Sequence, residues 1–123
     1  MNKIYLKIAA LINFISALVH TFLGQIDLVN PLLSSNLSMQ VKGEFVSVWH
    51  IVTIILFATC LPLFKASFYE IKSSQVGLLK FIGWLYVLFA LPFIVVSIWY
   101  FIFAPQWILL LPIGVLTLVS LRK

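Results

Sequence analysis

The sequence predicts an all-α integral membrane protein, an antiparallel bundle of four transmembrane helices, and two observations support this prediction. The chain of 123 residues is 63% hydrophobic and only 9% charged, whereas soluble domains carry about 25% charged residues. Its apolar residues form runs of about 20, long enough to cross a hydrocarbon core of roughly 30 Å as a helix. These runs are continuous rather than alternating, which favours helices over a membrane β-barrel.

Turn-forming residues divide the chain into four predicted helices within one domain, residues 1–123. We predict helices over residues 4–27, 39–64, 76–103 and 105–121. Asn30-Pro31 and Ser34-Ser35-Asn36 are expected to end the first helix and to form the connection to the second. Ser38 suits the N-cap of the second helix, and Pro105 occupies a favoured first-turn position of the fourth.

The positive charges predict how the chain is oriented in the membrane. Seven of the eight Lys and Arg residues fall on one side of a four-helix layout, namely Lys3, Lys7, Lys65, Lys72, Lys80, Arg122 and Lys123. Only Lys42 falls on the other side, with Asp27 and Glu44. The positive-inside rule therefore predicts a multi-pass protein of the inner (cytoplasmic) membrane with both termini in the cytoplasm. Because the charge lies on these flanks, the net +5 does not indicate nucleic-acid binding.

The sequence lacks the motifs of the common enzyme classes. It has no glycine-rich phosphate loop, no nucleotide-binding motif and no nucleophile set beside a base. The single cysteine, Cys60, cannot form an internal disulfide or the cysteine pair of a thiol oxidoreductase. A role other than catalysis is therefore favoured.

Polar residues recur at helical spacing in the first two predicted helices. The recurring positions are Asn13, Ser16, His20, Gly24 and Asp27 in the first helix, and Glu44, Ser47 and His50 in the second. Steps of three and four place each set on one face of its helix. Small and polar residues at such spacing allow transmembrane helices to pack closely and hydrogen-bond. We therefore expect both faces to point into the bundle.

The only two histidines, His20 and His50, are predicted to lie at similar depth. His50 lies roughly 16 Å below the start of the second helix, and His20 lies roughly 10 Å below Asp27, at 1.5 Å per residue. Both rings therefore fall in the outer half of the membrane, with acidic residues above them. We predict a polar site open to the outer side, made of His20, Gln25, Asp27, Glu44, Trp49 and His50.

Three interpretations of this site stay open. The first is binding of a cation, with His20 and His50 as ligands of a divalent metal, or proton relay, in small-solute transport or sensing. The second is a b-type haem held between two helices by the same histidines. The third is hydrogen bonding across helices in a structural or accessory subunit. Apart from the lipid bilayer, the expected partners are a second copy or a larger membrane complex.

A resemblance adds to this interpretation of the first half of the chain. The pattern is His20-x-x-x-Gly24, an acid at Asp27, Pro31-Leu-Leu, and then Trp49-His50 in the second span. It resembles small four-span bacterial inner-membrane proteins of unknown function. The resemblance implies the four-span fold and links His20 to Trp49-His50, but it implies no activity.

The predicted orientation can be tested by cysteine labelling in intact cells. In a chain whose Cys60 is replaced by alanine, we expect Ser35→Cys to react with an impermeant maleimide from outside. Ser74→Cys should react only after the cells are opened, because the second connection is predicted to face the cytoplasm. Equal labelling of both positions from outside would contradict this topology.

Overall fold

The computed structural model describes residues 1–122, and every regular element in that range is helical. The elements are α1 (Lys3–Gly24), a π-helical turn (Gln25–Val29), α2 (Asn30–Ser34), α3 (Met39–Phe68), α4 (Ser73–Tyr100) and α5 (Trp107–Ser120). Three helical stretches are long and apolar enough to cross a membrane, namely Lys3–Ser34, α3 and α4. With 14 residues, α5 is shorter. The all-helical fold class is confirmed, with α1 to α2 as one continuous stretch.

The predicted break after the first helix is wrong in extent. The π-helical turn and α2 continue the helix from Gly24 to Ser34, so that only residues 35–38 separate it from α3. Asn30-Pro31 does not end the helix: Pro31 directly follows the π-helical turn and lies in the first turn of α2. The backbone N–H of Asn30 reaches Gln25 O, as expected of a π turn.

The other helix boundaries also differ from those predicted. α3 continues past residue 64 to Phe68, and Pro62 is accommodated inside it. α4 ends at Tyr100 rather than residue 103 because Phe101 adopts a left-handed conformation, with φ of 52°. α5 begins at Trp107 and not at Pro105, which lies in the preceding turn.

Consecutive long helices run in alternating directions around a common core. α1 packs against α3 and α5, and α5 packs against α4, whereas α3 and α4 make few contacts. The N–H of Asn2 donates to Ser120 O at 2.8 Å, which places the start of α1 beside the end of α5. The bundle is therefore closed along three interfaces and partly open between α3 and α4.

Charge distinguishes the two ends of this bundle. The basic end carries the start of α1 and α4 and the end of α3 and α5, with Lys3, Lys7, Lys65, Lys72, Lys80 and Arg122. The far end carries Asp27, Lys42 and Glu44. Lys123, predicted to join the basic group, lies outside the described residues.

Two lysines fasten α3 to the α1–α2 stretch at opposite ends. Lys3 Nζ donates to Ala66 O at 2.7 Å and also to Tyr69 O, at the C-terminus of α3. Lys42 Nζ donates to Leu33 O at 2.8 Å, at the C-terminus of α2, and the side chain of Lys42 is buried. The negative end of a helix dipole favours a cation at both positions.

Glycines allow α4 and α5 to pack with their backbones close together. A Cβ on Gly114 would lie 2.6 Å from Gly83 O and 2.8 Å from the backbone nitrogen of Val87. A Cβ on Gly83 would lie 2.7 Å from Cγ of Leu118. A larger residue at Gly114 would force the two backbones apart, whereas one at Gly83 would displace the side chain of Leu118.

A closed ring of three hydrogen bonds joins α1, α3 and α4 inside the bundle. Tyr86 Oη donates to Asn13 Oδ1 at 2.6 Å, and Asn13 Nδ2 donates to Thr59 Oγ1 at 3.1 Å. Because the single proton of Tyr86 is used, Thr59 Oγ1 donates across the remaining 2.6 Å to Tyr86 Oη. Asn13 and Tyr86 are fully buried, and Thr59 is 9% exposed. Within the ring each group can donate and accept once, and the Thr59 hydroxyl also lies 2.9 Å from Ile55 O and 3.1 Å from Leu56 O of its own helix, so the polar ring is satisfied without water.

We expect Tyr86→Phe to destabilise the bundle by about 1–3 kcal/mol, because Asn13 Oδ1 loses its donor in a buried site. The exposed Tyr100 on the same helix provides the matched control, Tyr100→Phe, which should be near neutral. Thermal unfolding in detergent, followed by circular dichroism, measures both. Equal midpoints for wild type and Tyr86→Phe would show that the polar ring does not hold these helices together.

Candidate functional site

The histidine of α1 contacts α3 through Trp49. The imidazole of His20 stacks on the indole of Trp49, with ring centroids 3.9 Å apart and planes 12° from parallel. His20 Nε2 also lies 3.2 Å from the backbone oxygen of Trp49. The half-buried His20 side chain therefore makes a stacking contact and a hydrogen bond with the same residue.

This hydrogen bond fixes the tautomer of His20. A carbonyl oxygen only accepts, so Nε2 carries the proton and donates it to Trp49 O. The same oxygen also accepts from Thr53 Oγ1 at 3.1 Å, one turn further along α3. When the imidazole is neutral, Nδ1 of His20 is then the acceptor nitrogen.

Gly24 makes room for the indole one turn beyond His20. A Cβ at Gly24 would lie 2.3 Å from Cζ2 and 2.6 Å from Cη2 of Trp49. Any other residue at this position would displace the indole from its place against α1. His20, Gly24 and Trp49 thus form one unit, which we name the tryptophan notch. The spacing His20-x-x-x-Gly24 was the sequence signal for it, since i and i+4 share a helix face.

The expectation that Glu44, Ser47 and His50 face the bundle interior is wrong. All three side chains are exposed on α3. The inward face is taken by a different set, one position displaced, namely Lys42, Val46, Trp49, Thr53 and Leu56. The large indole and the apolar side chains fill space against α1 that a short polar stripe would leave empty.

The acidic residues and Gln25 do not converge on His20 either. Glu44 Oε1 accepts from Gln40 Nε2 at 2.7 Å, within α3. Gln25 Nε2 donates to Asn30 Oδ1 at 3.0 Å, and Asp27 is exposed on the π-helical turn. Within residues 1–122, no group of three or more His, Cys, Asp or Glu side chains could hold a metal ion. A cation site built on His50 or Glu44 would therefore need ligands from a second molecule.

The geometry gives the haem interpretation no support. Haem iron in a bundle is held by histidine side chains that face a gap between helices. The Nε2 of His20 is engaged with Trp49 O, and one face of its ring is covered by the indole at 3.9 Å. The side chain of His50 is exposed on α3.

The sequence reasoning missed the part played by two threonines. Thr53 shares the carbonyl of Trp49 with His20, and Thr59 completes the polar ring. Thr59 lies ten residues along α3 from Trp49, about 80° around the helix from it, and is buried on the same broad inward side. A polar residue in the middle of an apolar run, at that phase, was the available signal.

Comparison of the chain with models of protein families, with curated proteins and with solved structures found no match in any of the three. Inference about function therefore depends on the geometry of the residues themselves.

We expect Gly24→Ala to break the tryptophan notch. The new Cβ overlaps the indole, so Trp49 must move off His20, at a cost of about 1–3 kcal/mol. Near-ultraviolet circular dichroism of the tryptophans and the unfolding midpoint should both change. Gly43→Ala on α3 is the control, because a Cβ there meets nothing within 4 Å. An unchanged tryptophan spectrum in Gly24→Ala would contradict the close contact.

Proposed function

We propose that this chain is an integral membrane protein that pairs with a second transmembrane chain through α3 and there binds a cation or relays a proton. The observation that carries this proposal is the α3 polar face, Glu44, Ser47 and His50, which is exposed on the bundle. Transport or sensing of a small solute is the process that such a site would serve. We place the protein in the inner membrane, with the basic end in the cytoplasm.

Membrane insertion is supported by the length and composition of the helices and by their exposed apolar side chains. The stretch Lys3–Ser34, α3 and α4 each suffice to cross a bilayer. Around the α3 polar face, α3 exposes Phe45, Ile54 and Leu61 by 60%, 66% and 75%. Water would disfavour so much apolar surface, whereas hydrocarbon accepts it.

Hydrocarbon, however, disfavours the α3 polar face. His50 lies eleven residues into α3, roughly 16 Å from its start at 1.5 Å per residue. An ionisable side chain at such depth costs about 2.5–3.5 kcal/mol on insertion scales when charged, and it is usually covered by protein or water. The His50 side chain is nonetheless exposed on the described part of this chain. A second transmembrane chain seated on this face would remove that cost.

The chemistry of the α3 polar face suits a cation or a proton. A neutral imidazole binds divalent transition metals or exchanges a proton near neutral pH. A carboxylate binds harder cations. Glu44 and His50 are six residues apart, roughly 9 Å along the helix. Metal–ligand distances are only about 2 Å, so one ion does not bridge them directly. The second chain would supply the remaining ligands or the next group of a relay.

In the accessory-subunit interpretation, the α3 polar face contacts the partner but binds no cation and relays no proton. Ser47 and His50 would then hydrogen-bond to the partner and fix its position. His20 supports this version, since its ring is committed to Trp49 and its Nε2 proton to a backbone carbonyl. The two versions share the docking of α3 and differ only in whether His50 binds an ion or proton.

Cross-linking in native membranes tests the docking of α3. In a Cys60→Ala chain, we expect Ser47→Cys to form a cross-linked product several-fold more efficiently than Val95→Cys. Val95 is a matched control because it is 58% exposed on α4, also toward the far end of the bundle. The mass of the product distinguishes a second copy from a different partner. Equal or absent cross-linking at both positions would contradict the proposal.

The ion-binding part is tested on the same material. Protein purified with its cross-linked partner should retain a divalent metal that His50→Ala loses, or should show a proton-dependent activity that His50→Ala abolishes. His20→Ala serves as the control, because that ring belongs to the tryptophan notch. Efficient cross-linking without any effect of His50→Ala would leave the accessory-subunit function and reject the cation site.

A further inference from the structure

A surface groove lies between α4 and α5 at the basic end, away from the α3 polar face. Its volume is about 460 Å³, and it is lined by Lys80, Trp84, Leu118, Leu121 and Arg122. Leu118 packs onto Gly83, where α4 has no side chain, and lines the groove together with Leu121. Its floor is therefore apolar, and its rim carries two cations and an indole.

The two cations of this groove are available to a ligand. Lys80 and Arg122 are both exposed, and neither side chain hydrogen-bonds to another part of residues 1–122. No acidic residue lines the groove. Two of the three acidic residues of the chain, Asp27 and Glu44, lie at the far end of the bundle. They therefore do not neutralise the positive charges of Lys80 and Arg122.

A second groove at the same end provides a comparison. It lies between α3 and α4, has a volume of about 300 Å³, and is also mostly apolar. Its charged lining residues are Lys65 and Glu70, whose charges cancel. The two grooves thus share location and apolar character and differ in net charge.

We propose that the groove between α4 and α5 binds an anionic phospholipid. The phosphate lies between Lys80 and Arg122, and an acyl chain lies along Leu118 and Leu121. Basic residues between transmembrane helices at the cytoplasmic side attract anionic headgroups. Tryptophan favours the level of the headgroups, and a lipid bound in this way would have Trp84 at that level. Free phosphate would use the cations but leave the apolar floor in water. This inference requires membrane insertion but is independent of the α3 polar face.

Native mass spectrometry of the purified protein tests this site. In micelles containing equal amounts of phosphatidylglycerol and phosphatidylcholine, we expect the wild type to retain phosphatidylglycerol preferentially. Lys80→Gln and Arg122→Gln should each weaken that retention about five-fold, and the double variant roughly 25-fold, since each cation near the surface contributes separately. Lys65→Gln is the matched control, because it removes the same charge from the other groove. Circular dichroism confirms that the variants, all at exposed positions, remain folded.

Three outcomes would overturn the proposal. The first is that the double variant retains phosphatidylglycerol as well as the wild type does. The second is that Lys65→Gln weakens retention as much as Lys80→Gln or Arg122→Gln does, which would mean that only the net charge of the protein matters. The third is displacement of the lipid by millimolar inorganic phosphate, which would show that the site recognises the phosphate without the acyl chain. Cross-linking at Ser47→Cys is unaffected by these variants, so failure here and failure of the proposed docking of α3 are distinguishable.

Discussion

The polar ring of Asn13, Thr59 and Tyr86 is the interaction on which the rest of this bundle depends. It joins three helices in the middle of an apolar interior, roughly 14–20 Å from their ends at the basic side by the rise of 1.5 Å per residue. Apolar packing alone is tolerant of small rotations of a helix, whereas three directed hydrogen bonds between buried groups are not. The ring therefore sets which face of α1, α3 and α4 points inward.

The rotation of α3 set by Thr59 has consequences at the far end. Trp49 lies ten residues before Thr59, about 80° around the helix from it, and its indole stacks on His20 beside Gly24. His50, the next residue, is turned outward by about 100° and is exposed. The rotation of α3 thus directs the indole of Trp49 toward α1 and leaves the α3 polar face exposed.

The two ends of the molecule are built for different contacts. At the far end, ionisable side chains on a helix surface favour protein as the neighbour. At the basic end, the exposed cations Lys80 and Arg122 line an apolar groove, which suits the lipid headgroup that we propose there. The partly open interface between α3 and α4 leaves α3 held mainly by α1, through the tryptophan notch, Lys3 and Lys42. α3 consequently keeps much of its surface available for a second chain.

Composition and periodicity by themselves determined the helical class, the approximate spans, the basic end and the importance of the His20 and Trp49 region, because these follow from local properties of the chain. The inward position of Asn13 and Ser16 also followed from helical spacing. The sequence did not determine which face of α3 is inward, since its polar and its bulky apolar residues compete for that position. Only the tertiary structure decided this, because the fit of an indole against Gly24 and the closing of a three-helix hydrogen-bond ring depend on residues 25 to 73 positions apart in the chain.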